Sequence, residues 1–268
     1  MIPDYVPLLD AYHQAHRRTI RQAVETMPLR SGECVLDVPC GNGFYTSLLA
    51  ERIAPHGKVI AADESTELLA IARHRHSANG ITFEPANSYA LPYDDGSFDF
   101  VWCAQSLISL RDIGAAMGEM LRVVKPGGIV AIWENDELHH TLLPWPPKLE
   151  IALYQAARSA QRQQNHSPDS ISVGRFVRRH LREAGLANIV RHTFVTDHQQ
   201  PLSDAARRFV ECWIASLRDR LSDLLDEHQQ SDFNRLTTPD SLDYLPNSAD
   251  FEIACIDILT LGEKQADD

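Results

Sequence analysis

A chain of 268 residues can bury a full core, and a composition 44% hydrophobic and 23% charged is that of an ordinary globular protein, with no run approaching the roughly 20 apolar residues of a membrane span. The formal charge of -12, from 37 acids against 25 lysines and arginines, repels a phosphate backbone and disfavours a nucleic-acid partner. Five widely spaced cysteines without a Cys-x-x-Cys pair argue against a disulfide framework or a zinc knuckle and fit a reducing cytoplasm, and Met1–Tyr5 carries no basic-then-apolar leader.

In chain order, Leu8, Tyr12, Ile20, Val24 and Met27 predict an amphipathic helix that Pro28 ends, with His16 on the apolar face and His13 beside it. Cys34 to Tyr45 then reads as a buried strand, Val35-Leu36-Asp37-Val38, a Gly41-Asn42-Gly43 turn, and a helix spaced by Phe44, Leu48, Leu49 and Ile53. Such a turn lets the backbone approach a ligand closely, and an acid at the strand's end can bind a sugar or an ammonium group. Lys58 to Ala62 predicts a second strand ending at Asp63, which stands about 20 residues after Gly43, the separation at which such an acid reaches ribose hydroxyls. Ser65 is available to cap the next helix.

A helix with Leu68, Leu69 and Ala72 leads through Asn79-Gly80 to a strand at Ile81–Phe83, and a polar loop leads to a fourth strand at Phe98–Cys103. Asp112 caps a helix carrying Ile113, Met117, Met120, Leu121 and Val124, and Pro126-Gly127-Gly128 stops it before a strand at Ile129–Trp133. Five strands alternating with helices imply a parallel, right-handed, doubly wound α/β sheet. After Glu134 the alternation lapses: a proline-rich stretch precedes a helix from Lys148 to Gln164, and the pattern resumes with a helix at Val177–Ala184 and a strand near Ile189–Val195. Arg175, Arg178, Arg179 and Arg182 read as the solvated face of that helix. Ala206 to Leu224 trace an apolar stripe on one or two helices, and Phe251–Leu261 is apolar enough for a final strand. No linker divides the chain, so a single domain over 1–268 is expected, comprising an N-terminal helix (1–30), a ligand-binding core (31–134) and two insertions (135–170 and 199–246).

Read together, Val35 to Gly43, Asp63, the run Leu91-Pro92-Tyr93-Asp94-Asp95-Gly96-Ser97-Phe98-Asp99 and Val123-Val124-Lys125-Pro126-Gly127-Gly128 resemble the class I S-adenosylmethionine-dependent methyltransferases, especially the small-molecule group resembling ubiquinone/menaquinone-biosynthesis enzymes. The resemblance covers roughly residues 30–134 and implies a Rossmann-like, seven-stranded sheet whose last strand runs antiparallel. It implies S-adenosylmethionine as cofactor, with Asp37 and Gly41 facing the methionine ammonium, Gly43 completing the turn, Asp63 on the ribose, Asn87 and Ser88 at the adenine, and the backbone at Cys103 or Ala104 along the methionine. Asn87 stands where relatives carry Asp, and Leu107-Ile108-Ser109-Leu110 where some carry histidine.

Methyl transfer is an in-line displacement that proximity can drive, and a base is required only if the acceptor must lose a proton. His139 and His140, just past the fifth strand, are the first candidates for that base, followed by His13 and His16 if the first helix folds over the mouth. The insertions are expected to cap the site and select a small-molecule acceptor, with Trp145, Tyr154 and Trp213 as candidate aromatic walls. Two alternatives remain at this stage. A nicotinamide-dependent oxidoreductase shares the glycine turn, but its third fingerprint glycine would fall at Thr46, and a non-catalytic S-adenosylmethionine-binding protein would keep the fold and transfer nothing. Oligomeric state is not readable.

Overall fold

In a computed structural model, residues 5–135, 141–163 and 173–266 are described. The apolar runs form the expected strands: β1 (Cys34–Asp37), β2 (Lys58–Asp63), β3 (Ile81–Pro85), β4 (Phe98–Ala104) and β5 (Val124–Glu134). They pair in parallel in the order β3-β2-β1-β4-β5. β7 (Ala187–Gln199) and β8 (Glu252–Glu263) complete the sheet, β8 running antiparallel between β5 and β7. A two-residue strand, β6 (Thr141–Leu142), joins the same side of β8 as β5, so seven long strands give the expected doubly wound sheet with an antiparallel β8 and one short addition. Strand order reverses between β1 and β4, and in open α/β sheets the crevice beyond the strand ends at such a point is where ligands bind.

Helices cover both faces. α1 (Val6–Ala15), α2 (Arg17–Thr26), α3 (Phe44–Ile53) and α8 (Asp204–Leu221) pack on one, around Trp102, Trp133 and Tyr45. α5 (Ile113–Val123) and α7 (Val173–Glu183) pack on the other, while α4 (Thr66–Arg75) lies against β2 and β3. Trp102 and Trp133 are fully buried, and truncating such a side chain costs about 3–5 kcal/mol. α6 (Pro147–Gln163), α8 and α9 (Glu227–Thr237) share a separate small core of Leu149, Leu153, Ala156, Leu221, Phe233 and Leu236.

Two local expectations change. The first helix is two helices, interrupted at His16 (φ -100°, ψ 6°), with Ala11, Tyr12 and His13 buried in the first and Thr19, Ile20, Ala23 and Val24 in the second. α9 was not among the predicted elements; it starts at Asp226-x-x-Gln229, which forms a reciprocal capping box.

The motif runs beyond the glycine turn build the frame. Arg122 donates to the Leu91 and Tyr93 carbonyls (2.9 and 2.7 Å) and to Asp95 (2.8 Å), while Glu119 accepts from the Leu91 amide (2.7 Å), locking the Leu91–Asp95 loop onto α5. Asp99 accepts from the Cys34 amide (2.9 Å) and from Lys125 (2.6 Å), tying the starts of β1, β4 and β5 together.

Candidate active site

The reversal between β1 and β4 opens into a cavity of about 950 Å³. Its inner wall is the β1–α3 turn. Gly41 (φ +54°) has no atom within 4 Å of where a Cβ would stand, so the backbone is open toward a ligand. Gly43 (φ +80°) serves packing instead. A Cβ there would come within 3.0 Å of the Ala72 Cβ, so this glycine lets α3 start against α4 and does not itself line the cavity.

Asp63 and Asn87-Ser88 line the next wall. Asp63 accepts the Gly41 and Ser65 amides, each at 2.8 Å, and burial raises its pKa against the lowering pull of those bonds. A carboxylate has about four lone-pair positions, so two bonds leave capacity for ligand hydroxyls. Ser65 also caps α4 through the Leu68 amide, as its position in the sequence suggested. Ser88 is buried, and the exposed Asn87 turns its side-chain oxygen to the Tyr89 amide (2.8 Å).

Asp37 stands one layer behind. It is 1% exposed, one oxygen accepts from Thr46 (2.6 Å), and Oδ1 has no hydrogen-bond partner among the described residues. Burial pushes its pKa up to about 7, with the Thr46 bond pulling down and Asp63 pushing up. Asp37 does not line the cavity, but its charge acts on Cys40 and Tyr45, which do. Thr46, the residue at the third-glycine place of a dinucleotide fingerprint, is spent on holding Asp37.

The wall past β4 is Ala104, Gln105 and Ser106 rather than Cys103. Cys103 is fully buried on the opposite sheet face, as strand alternation requires for the neighbour of Ala104. Gln105 takes a left-handed backbone (φ +48°), and its side-chain oxygen accepts from Tyr45 Oη (3.0 Å). That residue gave no signal in the sequence.

The outer wall is α1, which folds over the mouth through Tyr5 at its start, Leu9 and His13. Asp10 latches it there, accepting from Asn42 of the glycine turn (2.7 Å) and from both terminal nitrogens of Arg75 on α4 (2.7 and 3.0 Å). His13 is buried, stacks on Phe44 (4.0 Å) and has neither ring nitrogen hydrogen-bonded among the described residues. Burial first, then His16, His76 and Arg75, lower its pKa to about 3, so it is neutral. His16 is buried behind it, stacked on Tyr12 (4.2 Å), and does not line the cavity.

His139 and His140 lie outside the described residues. Trp145 packs near Phe233 in the small helical core, Trp213 packs against the main core, and neither they nor Tyr154 line the cavity.

Residues 36–132 match a family model described as a methyltransferase domain. The chain is 35% identical over 127 residues to a demethylmenaquinone methyltransferase of Shouchella clausii (strain KSM-K16), covering 46% of this chain and 54% of that protein. It is 33% identical over 132 residues to a ubiquinone/menaquinone biosynthesis C-methyltransferase of Marinomonas sp. (strain MWYL1), covering 48% and 53%. The chain thus spans about half the length of the curated relatives it matches. Its fold is similar to the crystal structure of a putative methyltransferase from Bacillus halodurans C-125, with a TM-score of 0.59 at 17% identity over 91% of this chain and 98% of that one.

Proposed function

We propose, from the premise that the core of this chain is a class I S-adenosylmethionine-dependent methyltransferase of the ubiquinone/menaquinone-biosynthesis-like group, that it methylates a small-molecule acceptor held under α1. The observation that carries the reading is Asp37: a buried carboxylate with one oxygen unpartnered, behind a cavity whose walls offer an open glycine backbone and a second acid with spare acceptor capacity. A buried polar atom without a partner is costly, and a ligand ammonium near that wall offsets the cost.

Asp37 would hold the methionine ammonium through its charge, Asp63 the ribose hydroxyls, and Asn87-Ser88 the adenine end. S-adenosylmethionine, when bound, supplies a methyl group on a sulfonium. The chain's own contribution is orientation and exclusion of water. The Asp10 latch keeps α1 over the mouth, and Tyr45, Gln105 and His13 form a wall on which an acceptor can be aligned. With a pKa near 3 His13 is a weak base, so its role is to exchange a hydrogen bond with the acceptor rather than to deprotonate it. Leu9, Tyr5, Tyr89 and Ile108 make the mouth partly apolar, and the names of the menaquinone and ubiquinone relatives agree with a hydroxylated aromatic acceptor.

Two measurements test the reading. S-adenosylhomocysteine should raise the melting temperature and NADH should not; the reverse would favour the oxidoreductase. Transfer of labelled methyl from S-adenosylmethionine to at least one member of a panel of hydroxylated aromatics is the expected activity. Tight cofactor binding with no transfer to any small molecule would leave only the binding function.

A further inference from the structure

The far edge of the sheet carries a feature that the cavity does not use. β7 is 13 residues long, more than twice a typical strand, and pairs only with β8 among the described residues. Its other edge therefore presents an unpaired row of backbone N–H and C=O groups. Natural edge strands of this length are normally blunted by proline, lysine or a bulge. Here the one irregularity lies at the start, between Ala187 and Val190, so Val190 to Gln199 form a regular edge with neither proline nor lysine. Val190 and Val195 are 50% and 53% exposed, large apolar side chains left in water on this one strand.

The strand's side chains divide by alternation. Phe194 and Thr196 face the helices, Phe194 meeting Trp133 (5.5 Å) and Thr196 bonding Thr19 (2.6 Å). Arg191, Thr193, Val195 and Asp197 share the other face and are all exposed. Among the described residues neither Arg191 nor Asp197 has an ion-pair partner, and six residues of strand hold them about 20 Å apart, too far to pair with each other.

We infer that this edge pairs with the same edge of a second copy of the chain, antiparallel about a two-fold axis at Phe194, joining two sheets into one. That axis sets Arg191 opposite Asp197 of the second copy at both ends of the ribbon and Thr193 opposite Val195 between them. Moving the axis to Thr193 would set Arg191 against Val195, and moving it to Val195 would set Asp197 against Thr193; each shift breaks both charge pairs. The strand is thus self-complementary in one register, as a two-fold interface requires. With a net charge of -12 on each chain, long-range repulsion opposes association, so the local pairing of opposite charges decides the register.

The test is sedimentation equilibrium of the full chain in physiological salt, from micromolar to submillimolar concentration, on the wild type and three variants. The wild type is expected to be a dimer. R191E alone and D197R alone each put like charges across both ends and should weaken the dimer by about tenfold or more, and the double change R191E/D197R should restore it by reversing both pairs. S-adenosylhomocysteine affinity, measured on each variant, should be unchanged, since the edge is remote from the cavity lining, and this separates loss of pairing from loss of folding. A monomeric wild type throughout the range would overturn the inference, as would a dimer that ignores the single reversals or is not rescued by the double one.

Discussion

β1 and β5 are both parallel strands of the central sheet, and both end in a buried acid. Asp37 and Glu134 are 1% and 2% exposed, and burial drives their pKa values up to about 7 and about 8. Their surroundings differ. Glu134 accepts the Leu107 amide at 2.7 Å, and the backbone N–H groups of Ser106, Asn135 and Ile108 also pull its pKa down, so it closes the turn that follows β4. Among the described residues Asp37 has one hydroxyl partner and one bare oxygen. Burial and a raised pKa therefore do not by themselves mark a functional acid, and neither does a bare oxygen, which Asp257 also has; what sets Asp37 apart is a bare oxygen directly behind the residues that line the cavity. A carboxylate ringed by backbone donors is a finished piece of structure, whereas one left half-satisfied behind a cavity keeps acceptor capacity that the proposed function assigns to a ligand cation.

The largest effect expected from this contrast is on stability at the β5 end. Glu134→Ala should cost about 3 kcal/mol in urea unfolding, because buried amide donors lose their acceptor, while Glu134→Gln, which keeps an acceptor oxygen, should cost much less. Equal losses from both would mean that Glu134 acts through its charge and not as a cap.

Next come the two glycines. Gly43→Ala should destabilise the fold by about 2 kcal/mol, since the new methyl is both in a left-handed backbone and 3.0 Å from the Ala72 Cβ. Gly41→Ala, with open space around it, should cost only the backbone term, about 1 kcal/mol. A reversed order in thermal melts would contradict the division of labour between them.

In pH dependence the two acids should behave alike. Each has a folded-state pKa above its unfolded value, so between about pH 4 and the folded pKa the native state holds a proton that the unfolded state has lost. Stability is then fully present below about pH 4 and declines as pH rises toward about 7 for Asp37 and about 8 for Glu134, on the order of 1.4 kcal/mol per pH unit for each acid. Asp257, also buried and raised to about 7, adds the same sign. Unfolding free energies across this range should flatten by about one such slope in Asp37→Asn and likewise in Glu134→Gln. A stability that rises with pH here would show that neither acid is protonated in the fold.

The smallest effect is at the latch. Asp10→Ala should cost about 0.5–1 kcal/mol, as expected of a partly exposed ion pair, and should speed hydrogen exchange in α1 selectively. Unaltered exchange would mean that packing alone holds α1.

What the sequence revealed of this arrangement follows from the kind of signal each residue carries. The glycine turn, Asp63 and the alternation of strands with helices were legible because backbone conformation and hydrophobic period leave marks at fixed spacing. The Leu91–Asp99 and Val123–Gly128 runs were legible too, although Arg122, Glu119, Asp99 and Lys125 spend them on joining strands and loops, so a motif can identify a family without touching its ligand. Gln105 and Glu134 were not legible, because a strained backbone after a strand and a carboxylate capping a distant turn arise only when β4 and β5 lie side by side. Likewise, of the two expected positions Cys103 and Ala104, Ala104 lines the wall and Cys103 does not, since spacing alone does not say which face of the sheet a strand's last residues present.

The central claim is that Asp37 is held for a cationic ligand group, and calorimetric titration of S-adenosylhomocysteine at about pH 6.5, in buffers of differing ionisation enthalpy, tests it most directly. With a pKa near 7, Asp37 is largely protonated in the free protein under those conditions, and an ammonium against the wall in front of it would favour loss of that proton. The wild type should release a substantial fraction of a proton on binding, and Asp37→Asn should release less by that amount and bind about tenfold or more weakly while remaining at least as stable as the wild type. Equal proton release and equal affinity in the two proteins would contradict the account.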